Sequence, residues 1–281
     1  MKIGLDVGGT NLRAALVSKH SILKKEQVQC PADGSVQDVV DALCGIIDKL
    51  FDENIESLGA GIPSVVDSES GIVYNTANIP SWKEVRLKEI LHKRYNVPVA
   101  VENDSNCFAL GVSLHEQDNK FKHMVGITLG TGLGCGVVIN GKLYRGANGA
   151  AGEIGSLPYL DSDVEHYCGS MFFSRFCHKT ALQLYSLAKN GDAESIEKWH
   201  EFGCHMGNMV KMVMFAYDPD AIYFGGGISQ AFSLFEQSMN EVIKSFPYPK
   251  STKLLQIRPT RLQDAALLGA CLLYTSDAAD E

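Results

Sequence analysis

The chain has 281 residues, of which 45% are hydrophobic and 21% are charged, and its formal net charge is −8. This length exceeds what a single hydrophobic core usually organises and therefore predicts two domains. The acidic balance and the lack of a dense Lys/Arg run argue against a nucleic-acid partner, because neutralising phosphates requires a basic face.

The N-terminus and the cysteines indicate a cellular compartment. The opening MKIGLDVGG reaches Asp6 and a glycine pair without an apolar stretch long enough for a signal peptide or a membrane span. The eight cysteines include no CxxC pair, and several lie in apolar segments. We therefore expect reduced, mostly buried thiols in a cytoplasmic protein with no membrane partner.

The first predicted element is a β-hairpin, KIGLDVGGTNLRAALVS, in which apolar residues alternate on both sides of a Gly8–Gly9 turn. A similar unit, VGITLGTGLGCGVVING, follows later in the chain. A uniform offset that places Gly4 on Gly126 also places Leu16 on Val138. Two such hairpins predict two related lobes that face each other across a cleft.

The glycines of the second hairpin permit three interpretations. GTGLGCG is similar to a dinucleotide fingerprint and GVVINGKL to a P-loop, but both motifs must open a helix. Here a strand and an Asn140–Gly141 hairpin turn are predicted instead, and Leu143 stands where a P-loop has Ser or Thr. We reject both. Tight turns alone would explain either hairpin taken singly, whereas the pair favours backbone N–H groups that bind nucleotide phosphates.

The remaining elements alternate between helices and strands, which predicts a mixed α/β fold. Helices are predicted at about 35–53 and 83–95, from the sequence ENDSNCFALGVSL onward, at 169–189, at 192–217 and at DAALLGACLL (264–273). Strands are predicted at 58–63, 98–102 and 253–260, and AIYFGGGIS (221–229) predicts a strand that runs into a glycine loop before a helix. The polar, acidic tail 274–281 is predicted to be disordered or non-native.

Five motifs, in this order, resemble the ROK family of sugar kinases: DVGGTN (6–11), END (102–104), LGTGLG (129–134), GAAGEIG (149–155) and GGGIS (225–229). The resemblance extends from residue 6 to about residue 270. It implies the two-lobed actin/hexokinase-like (ribonuclease H-like) α/β ATPase fold, with ATP and a hexose meeting in the cleft. On this basis residues 1–116 form an N-terminal lobe joined by the C-terminal helix 263–273, and residues 117–262 form a C-terminal lobe.

The resemblance also implies roles on the sugar side. Asp104 would be the catalytic base, since removing a proton from a sugar hydroxyl requires a carboxylate within hydrogen-bond reach. Asn103 would hydrogen-bond the sugar, although END on its own is equally explained as a cap of the following helix. Asn78, in GIVYNTANIPSW, would be a further sugar contact, although an Asn in such a turn often bonds its own backbone.

On the nucleotide side, the resemblance implies ATP with Mg²⁺, which Asp6 would help to hold directly or through water. Phosphoryl transfer depends chiefly on positioning and charge neutralisation, which backbone donors and a metal ion provide. The residues expected to bind phosphates are Gly8, Gly9, Thr10, Asn11, Gly130, Thr131 and Gly132. Gly226 and Gly227 would border the adenosine.

The stretch GEIGSLPYLDSDVEHYCGS (152–170) departs from the family pattern. The family has a His where Ser156 stands, followed by a cysteine-rich zinc loop that has no counterpart here. Glu165 aligns with the glutamate after that loop, so Glu153 and Glu165 are the expected sugar-binding carboxylates. Ser156 changes a sugar contact and is expected to alter the preferred hexose. No zinc is expected, because neither His166, Cys168, Cys177 and His178 nor HEFGCH (200–205) has a structural zinc spacing.

These motifs predict an ATP-dependent hexose kinase that phosphorylates a sugar hydroxyl, most simply the one on C6. Two alternatives remain open: a sugar-binding regulator, because the family contains repressors with an N-terminal DNA-binding segment, and a sugar-binding relative without catalysis. The expected partners are a sugar and ATP. A homodimer is left open, because dimers are frequent in the family.

Overall fold

The structure is a computed structural model that describes residues 1–19, 21–116 and 121–277. It divides into two compact units. The first unit comprises Met1–Asn119, Lys142–Ala151 and Leu262–Glu281, and the second comprises Lys120–Gly141 and Gly152–Arg261. Within the described ranges, no helix is both long enough and apolar enough to cross a membrane.

The strands in chain order are β1 (Lys2–Val7), β2 (Asn11–Ser18), β3 (Ser21–Gln29), β4 (Ser57–Ile62), β5 (Val66–Asp67), β6 (Ile72–Tyr74), β7 (Glu84–Arg86), β8 (Val99–Asn103), β9 (Met124–Leu129), β10 (Leu133–Ile139), β11 (Lys142–Leu143), β12 (Pro158–Tyr159), β13 (Ser162–Asp163), β14 (Ala221–Gly225) and β15 (Gln256–Pro259). The α-helices are α1 (Val36–Ile47), α2 (Leu87–Tyr95), α3 (Asp104–His115), α4 (Val164–Cys168), α5 (Ser170–Cys177), α6 (Ala181–Lys189), α7 (Ala193–Tyr217), α8 (Phe232–Ile243), α9 (Pro249–Leu254) and α10 (Ala265–Asp277). Two 3₁₀ helices cover Ile154–Ser156 and Ile228–Ala231.

The first unit is built on a sheet with strand order β3-β2-β1-β4-β8. β1 pairs antiparallel with β2 and parallel with β4, and β4 pairs parallel with β8. The alternation at Ile3, Leu5 and Val7 places these side chains in a core shared with α1 and α2. α10 packs against β1 and β4 at glycines, because a Cβ on Gly4 or on Gly59 would collide with a carbonyl group of α10.

The second unit repeats this pattern in its strand order β10-β9-β14-β15. β9 pairs antiparallel with β10 and parallel with β14, and β14 pairs parallel with β15. Apolar side chains of β9 and β14 enter one core together with α7 and α8. As predicted, β10 ends at an Asn140–Gly141 turn and no helix follows either glycine motif. The structure therefore agrees with our rejection of the dinucleotide fingerprint and the P-loop.

The two hairpins differ in the length of their tips. In the first, Val7 pairs with Leu12, whereas in the second Leu129 pairs with Leu133, so the second tip is one residue shorter. Our uniform offset was therefore wrong for the return strand. Ile3 pairs with Leu16 and Val125 with Val137, so Leu16 corresponds to Val137 and not to Val138. A shift of one residue exchanges the two faces of a strand, so the uniform offset would compare side chains on opposite faces of β2 and β10.

Four predicted element boundaries also require correction. Helix α1 ends at Ile47 and not at residue 53. Residues 84–86 form a strand that pairs with β6, so helix α2 begins only at Leu87. The predicted helix 169–189 breaks at His178, which has a φ of 51°, and α6 restarts after a capping box at Thr180. The last strand begins at Gln256, because α9 occupies the residues before it.

Two segments lie differently from the predicted lobes. Residues 142–151 had been assigned to the C-terminal lobe, but they group with the first unit, where Arg145 pairs with Glu102. The predicted tail begins too early, because α10 continues to Asp277. Residues 278–281 of the predicted tail lie outside the described residues.

Candidate active site

The END motif places Asp104 at the first position of α3. Asn103 adopts an extended backbone conformation and caps the helix, since its Oδ1 accepts hydrogen bonds from the N–H groups of Ser105 (2.9 Å) and Asn106 (3.1 Å). Its Nδ2 donates to the carbonyl of Ser64 at 3.2 Å. Asn103 therefore caps α3. Its contact with the sugar stays a prediction and would use the second hydrogen of Nδ2.

The carboxyl group of Asp104 lies in an acidic and largely desolvated environment. Burial, followed by the charge of Asp6, raises the pKa of Asp104 to about 6. Hydrogen bonding from Ser105 opposes this rise, and the Ser105 hydroxyl lies 3.2 Å from Oδ1 of Asp104. A carboxylic acid with a pKa near the working pH is suited to accept a proton from a substrate.

Asp6 is the second carboxylate of this group and lies near the end of β1. It forms an ion pair with the guanidinium of Arg13 on β2. Burial nevertheless raises the pKa of Asp6, because desolvation outweighs the opposing effect of Arg13. Because β1 ends at Val7, the first glycine tip begins two residues after Asp6.

Glu102, which sequence reasoning left without a role, is the most completely buried charged group near Asp104, with 1% of its side chain exposed. Arg145 Nε donates to its Oε2 at 2.5 Å, and the Ser68 hydroxyl donates to the same oxygen at 3.0 Å. The backbone N–H of Asn103 (2.9 Å) and Nδ2 of Asn106 (3.1 Å) donate to Oε1. Its position in a buried strand, next to the cap of α3, is the signal in the sequence that could have identified Glu102 as a buried charge.

The first glycine tip lies against the predicted sugar loop. Gly8 N–H donates to the carbonyl of Asn11 at 3.0 Å, and Cys30 N–H donates to the carbonyl of Thr10 at 2.9 Å. A Cβ on Gly9 would lie 2.7 Å from the carbonyl oxygen of Asn78. Because Gly9 has no side chain, this tip can lie directly against Asn78.

The second glycine tip is held by the segment around α4. Gly130 N–H donates to the carbonyl of Gly132 at 3.0 Å. Oε2 of Glu165 accepts the N–H of Leu133 at 2.8 Å, and the Ser170 hydroxyl donates to the carbonyl of Thr131 at 2.7 Å. A Cβ on Gly130 would meet no atom within 4 Å, so a ligand can approach its backbone closely.

The structure brings together the two predicted sugar carboxylates of the second unit. Burial and then the charge of Glu165 raise the pKa of Glu153. The side chain of Ser156 is exposed, and its N–H donates to the carbonyl of Glu153 at 3.3 Å. Glu153 and Glu165 therefore form one polar group in the second unit, and the backbone of Ser156 lies beside that of Glu153.

The glycine loop after β14 leaves space beside the backbone of Gly227. Gly226 has a φ of 85°, and the Ser229 hydroxyl donates to its carbonyl at 2.7 Å. A Cβ on Gly226 would collide with the backbone of Leu129 in β9, whereas a Cβ on Gly227 would meet nothing within 4 Å. Gly226 therefore closes the loop onto the sheet while Gly227 leaves its backbone accessible.

Sequence comparison identifies the family of this chain. The ROK family profile matches residues 2–172 and 175–277. This chain belongs to the ROK family. The glucokinase of Thermotoga maritima is 28% identical over 301 residues, with 95% of each chain covered. The N-acetyl-D-glucosamine kinase of Vibrio cholerae is 28% identical over 280 residues, with 87% of this chain and 90% of the relative covered.

Other ROK family relatives have different roles, and solved structures establish the fold. The xylose repressor of Bacillus subtilis is 24% identical, with 95% of this chain and 75% of the repressor covered. A ROK family glucokinase from Streptomyces griseus, solved in complex with glucose and AMPPNP, is 26% identical with a TM-score of 0.83, and 97% and 98% of the two chains are covered. The predicted actin/hexokinase-like α/β fold with duplicated hairpins is confirmed.

Three of the candidate zinc ligands have other surroundings in this ROK family chain. His166 Nδ1 lies 2.7 Å from Oδ1 of Asp163, and Cys168 is fully buried in the core of the second unit. His205 Nδ1 lies 3.1 Å from the Tyr159 hydroxyl, and its ring packs 4.9 Å from that of Tyr167. Cys168 and His205 therefore have packing roles, and His166 has a carboxylate partner. The expectation that zinc is not required stays a prediction.

The carboxylate of Asp6 fits a Mg²⁺ ion that would take its other ligands from phosphate oxygens and water. Across the described residues, no cluster of three or more His, Cys, Asp or Glu side chains is arranged to hold a metal ion. Mg²⁺ in phosphate-transfer sites is usually bound by one or two carboxylates with phosphate oxygens and water. A cation here would also offset the repulsion that raises the pKa of Asp104.

Proposed function

We propose that this ROK family protein is an ATP-dependent hexose kinase in which Asp104 is the general base. The observation that carries the proposal is the carboxyl group of Asp104, which begins α3 beside Asp6 and has a pKa raised to about 6. At neutral pH this group is ionised and still basic enough to accept a proton from an alcohol. The glucokinase relatives and the glucokinase structure with AMPPNP support a kinase.

The proposed step is a direct transfer of the γ-phosphoryl group. Asp104 takes the proton of a sugar hydroxyl, expected to be the one on C6, while that oxygen attacks the γ-phosphorus. The bond from the γ-phosphorus to the bridging β-phosphate oxygen breaks, so the products are a sugar phosphate, ADP and one proton. Bound Mg²⁺, which Asp6 would hold directly or through water, supplies charge neutralisation at the phosphates.

The remaining assignments divide between the two units. In the first, Gly8, Gly9, Thr10 and Asn11 are proposed to bind phosphates, and Asn78 and Asn103 to bind the sugar. In the second, Gly130, Thr131 and Gly132 are proposed to bind phosphates, Gly226 and Gly227 to border the adenosine, and Glu153, Ser156 and Glu165 to bind the sugar. The open space around Gly130 and Gly227 supports the nucleotide assignments.

A sugar-binding regulator is the second candidate, favoured by the xylose repressor relative, which shares most of its length with this chain. The two functions differ in one measurable property, because only the kinase consumes ATP when sugar is added. We propose a sugar-dependent ADP-release screen over glucose, mannose, fructose, allose, N-acetylglucosamine and N-acetylmannosamine, with mass spectrometry to locate the phosphate. At least one sugar should stimulate ADP release. If none of the six sugars stimulates ADP release, the kinase assignment is wrong.

A further inference from the structure

The segment from Glu165 in α4 to Ser170, the first residue of α5, contacts the second glycine tip at three points. Glu165 accepts the N–H of Leu133 at 2.8 Å, and Ser170 donates to the carbonyl of Thr131 at 2.7 Å. Between them, Gly169 faces the tip, because a Cβ there would lie 3.6 Å from the carbonyl carbon of Gly132. We call residues 165–170 the tip clamp.

A side chain at position 132 would displace the carboxylate of the tip clamp. A Cβ on Gly132 would collide with Oε2 of Glu165, the same oxygen that accepts the N–H of Leu133. The carboxylate therefore lies directly against the backbone of the tip. Its bond is charge-assisted, which makes it stronger than a bond between neutral groups. The position of the tip consequently depends on the position of one acidic side chain.

The same side chain is coupled to the second carboxylate of the polar group. The charge of Glu165 contributes to the raised pKa of Glu153, so the two carboxylates interact. A carboxylate has two oxygens and several acceptor positions. Glu165 can therefore hold the N–H of Leu133 with Oε2 while Oε1 accepts a hydrogen bond from a sugar hydroxyl.

We propose that Glu165 and Ser170 are positioning residues for the nucleotide, and that Glu165 links sugar binding to nucleotide binding. This inference rests on the proposed kinase function. A sugar hydrogen-bonded to Glu165 restricts this side chain and, through it, the backbone of residues 131–133. By thermodynamic reciprocity, sugar should then raise the affinity for nucleotide by the same factor as nucleotide raises the affinity for sugar.

The test measures AMPPNP binding with Mg²⁺ by isothermal titration calorimetry in the absence of sugar. A residue that only contacts sugar would not change this affinity. Glu165→Gln and Ser170→Ala should each weaken AMPPNP binding by about 3- to 10-fold, as expected for losing or weakening one hydrogen bond. Ser170→Thr, which keeps the hydroxyl, should restore it. The matched control is Ser174→Ala, which removes a hydroxyl that donates to the carbonyl of Met171 within α5 instead of to the tip, and which should leave AMPPNP affinity within about two-fold of wild type.

The outcomes separate the two proposals. If wild-type protein binds AMPPNP and both variants bind it equally well, the positioning role is wrong and the kinase assignment stands. If wild-type protein does not bind AMPPNP, the kinase assignment itself fails. The melting temperature of each variant shows whether it is folded. A Ser170→Ala protein that melts with wild type yet binds AMPPNP more weakly supports the inference even where Glu165→Gln is unstable.

Discussion

Arg145 donates a hydrogen bond from Nε to Oε2 of Glu102 over 2.5 Å, and this pair joins the loop of residues 142–151 to the residue two positions before Asp104. The Glu102 side chain is 1% exposed and that of Arg145 is 27% exposed. Breaking a buried ion pair from one side is costly, because the remaining charge stays desolvated. The pair therefore anchors the start of α3, where the proposed base lies.

We predict that Arg145→Met lowers the free energy of unfolding by about 3 kcal/mol, since it leaves the charge of Glu102 buried without its cationic partner. Adding Glu102→Gln to Arg145→Met should recover part of that loss, because the amide carries no charge. The control is Arg94→Met, which breaks the 2.7 Å exposed pair with Asp48 and should cost less than about 1 kcal/mol. Urea unfolding measures all three variants. Equal losses for Arg145→Met and Arg94→Met would contradict the anchoring role.

The motifs named candidate chemical residues but gave no indication of the residues that hold them in place. END names Asp104 as the proposed base, whereas the buried charge of Glu102 is paired with Arg145, which lies 43 residues later in the chain. A contact over such a separation leaves no local pattern in the sequence. The same limitation applies to residues 142–151, which the sequence assigns to the C-terminal lobe and which group with the first unit.

The dependence of the reaction rate on pH should report the raised pKa of Asp104. As the general base, Asp104 must be ionised, so kcat/KM should fall about tenfold per pH unit below its pKa of about 6 and level off above it. Asp6→Asn removes the second cause of this raised pKa and should move the acid limb to lower pH, in addition to lowering the rate. AMPPNP affinity measured over the same pH range separates loss of nucleotide binding from loss of the base. A rate that stays constant down to pH 5 would refute the assignment.

Two helical glycines should respond to alanine in opposite directions. In α3, a Cβ on Gly111 would collide with the carbonyl of Ala265 in α10, whereas a Cβ on Gly45 in α1 would meet no atom within 4 Å. Gly111→Ala should therefore destabilise the protein by about 1–3 kcal/mol through overpacking. Gly45→Ala should stabilise it by about 0.5–1 kcal/mol, because alanine loses less backbone entropy in a helix. Thermal unfolding of both variants checks the signs, and stabilisation by Gly111→Ala would contradict the close approach of α3 and α10.

Periodicity predicted most strands and helices of this fold, and its errors have local causes. The hairpins were recognised, but a uniform offset could not detect that the second tip is one residue shorter. The break at His178 was missed because a left-handed residue other than Gly or Asn carries little signal in a sequence. The contact between Glu165 and Leu133 could not be predicted, because the motif assigns that glutamate to the sugar and says nothing about the glycine tip.

The most direct measurement is single-turnover phosphoryl transfer by Asp104→Asn, with the hexose that gives the highest rate in the ADP-release screen. We predict that the rate constant falls by about 10²- to 10⁴-fold, the usual contribution of a general base. AMPPNP affinity should stay within about two-fold of wild type, since asparagine keeps the shape of the side chain. An Asp104→Asn protein that transfers phosphate at nearly the wild-type rate would show that Asp104 is not the base.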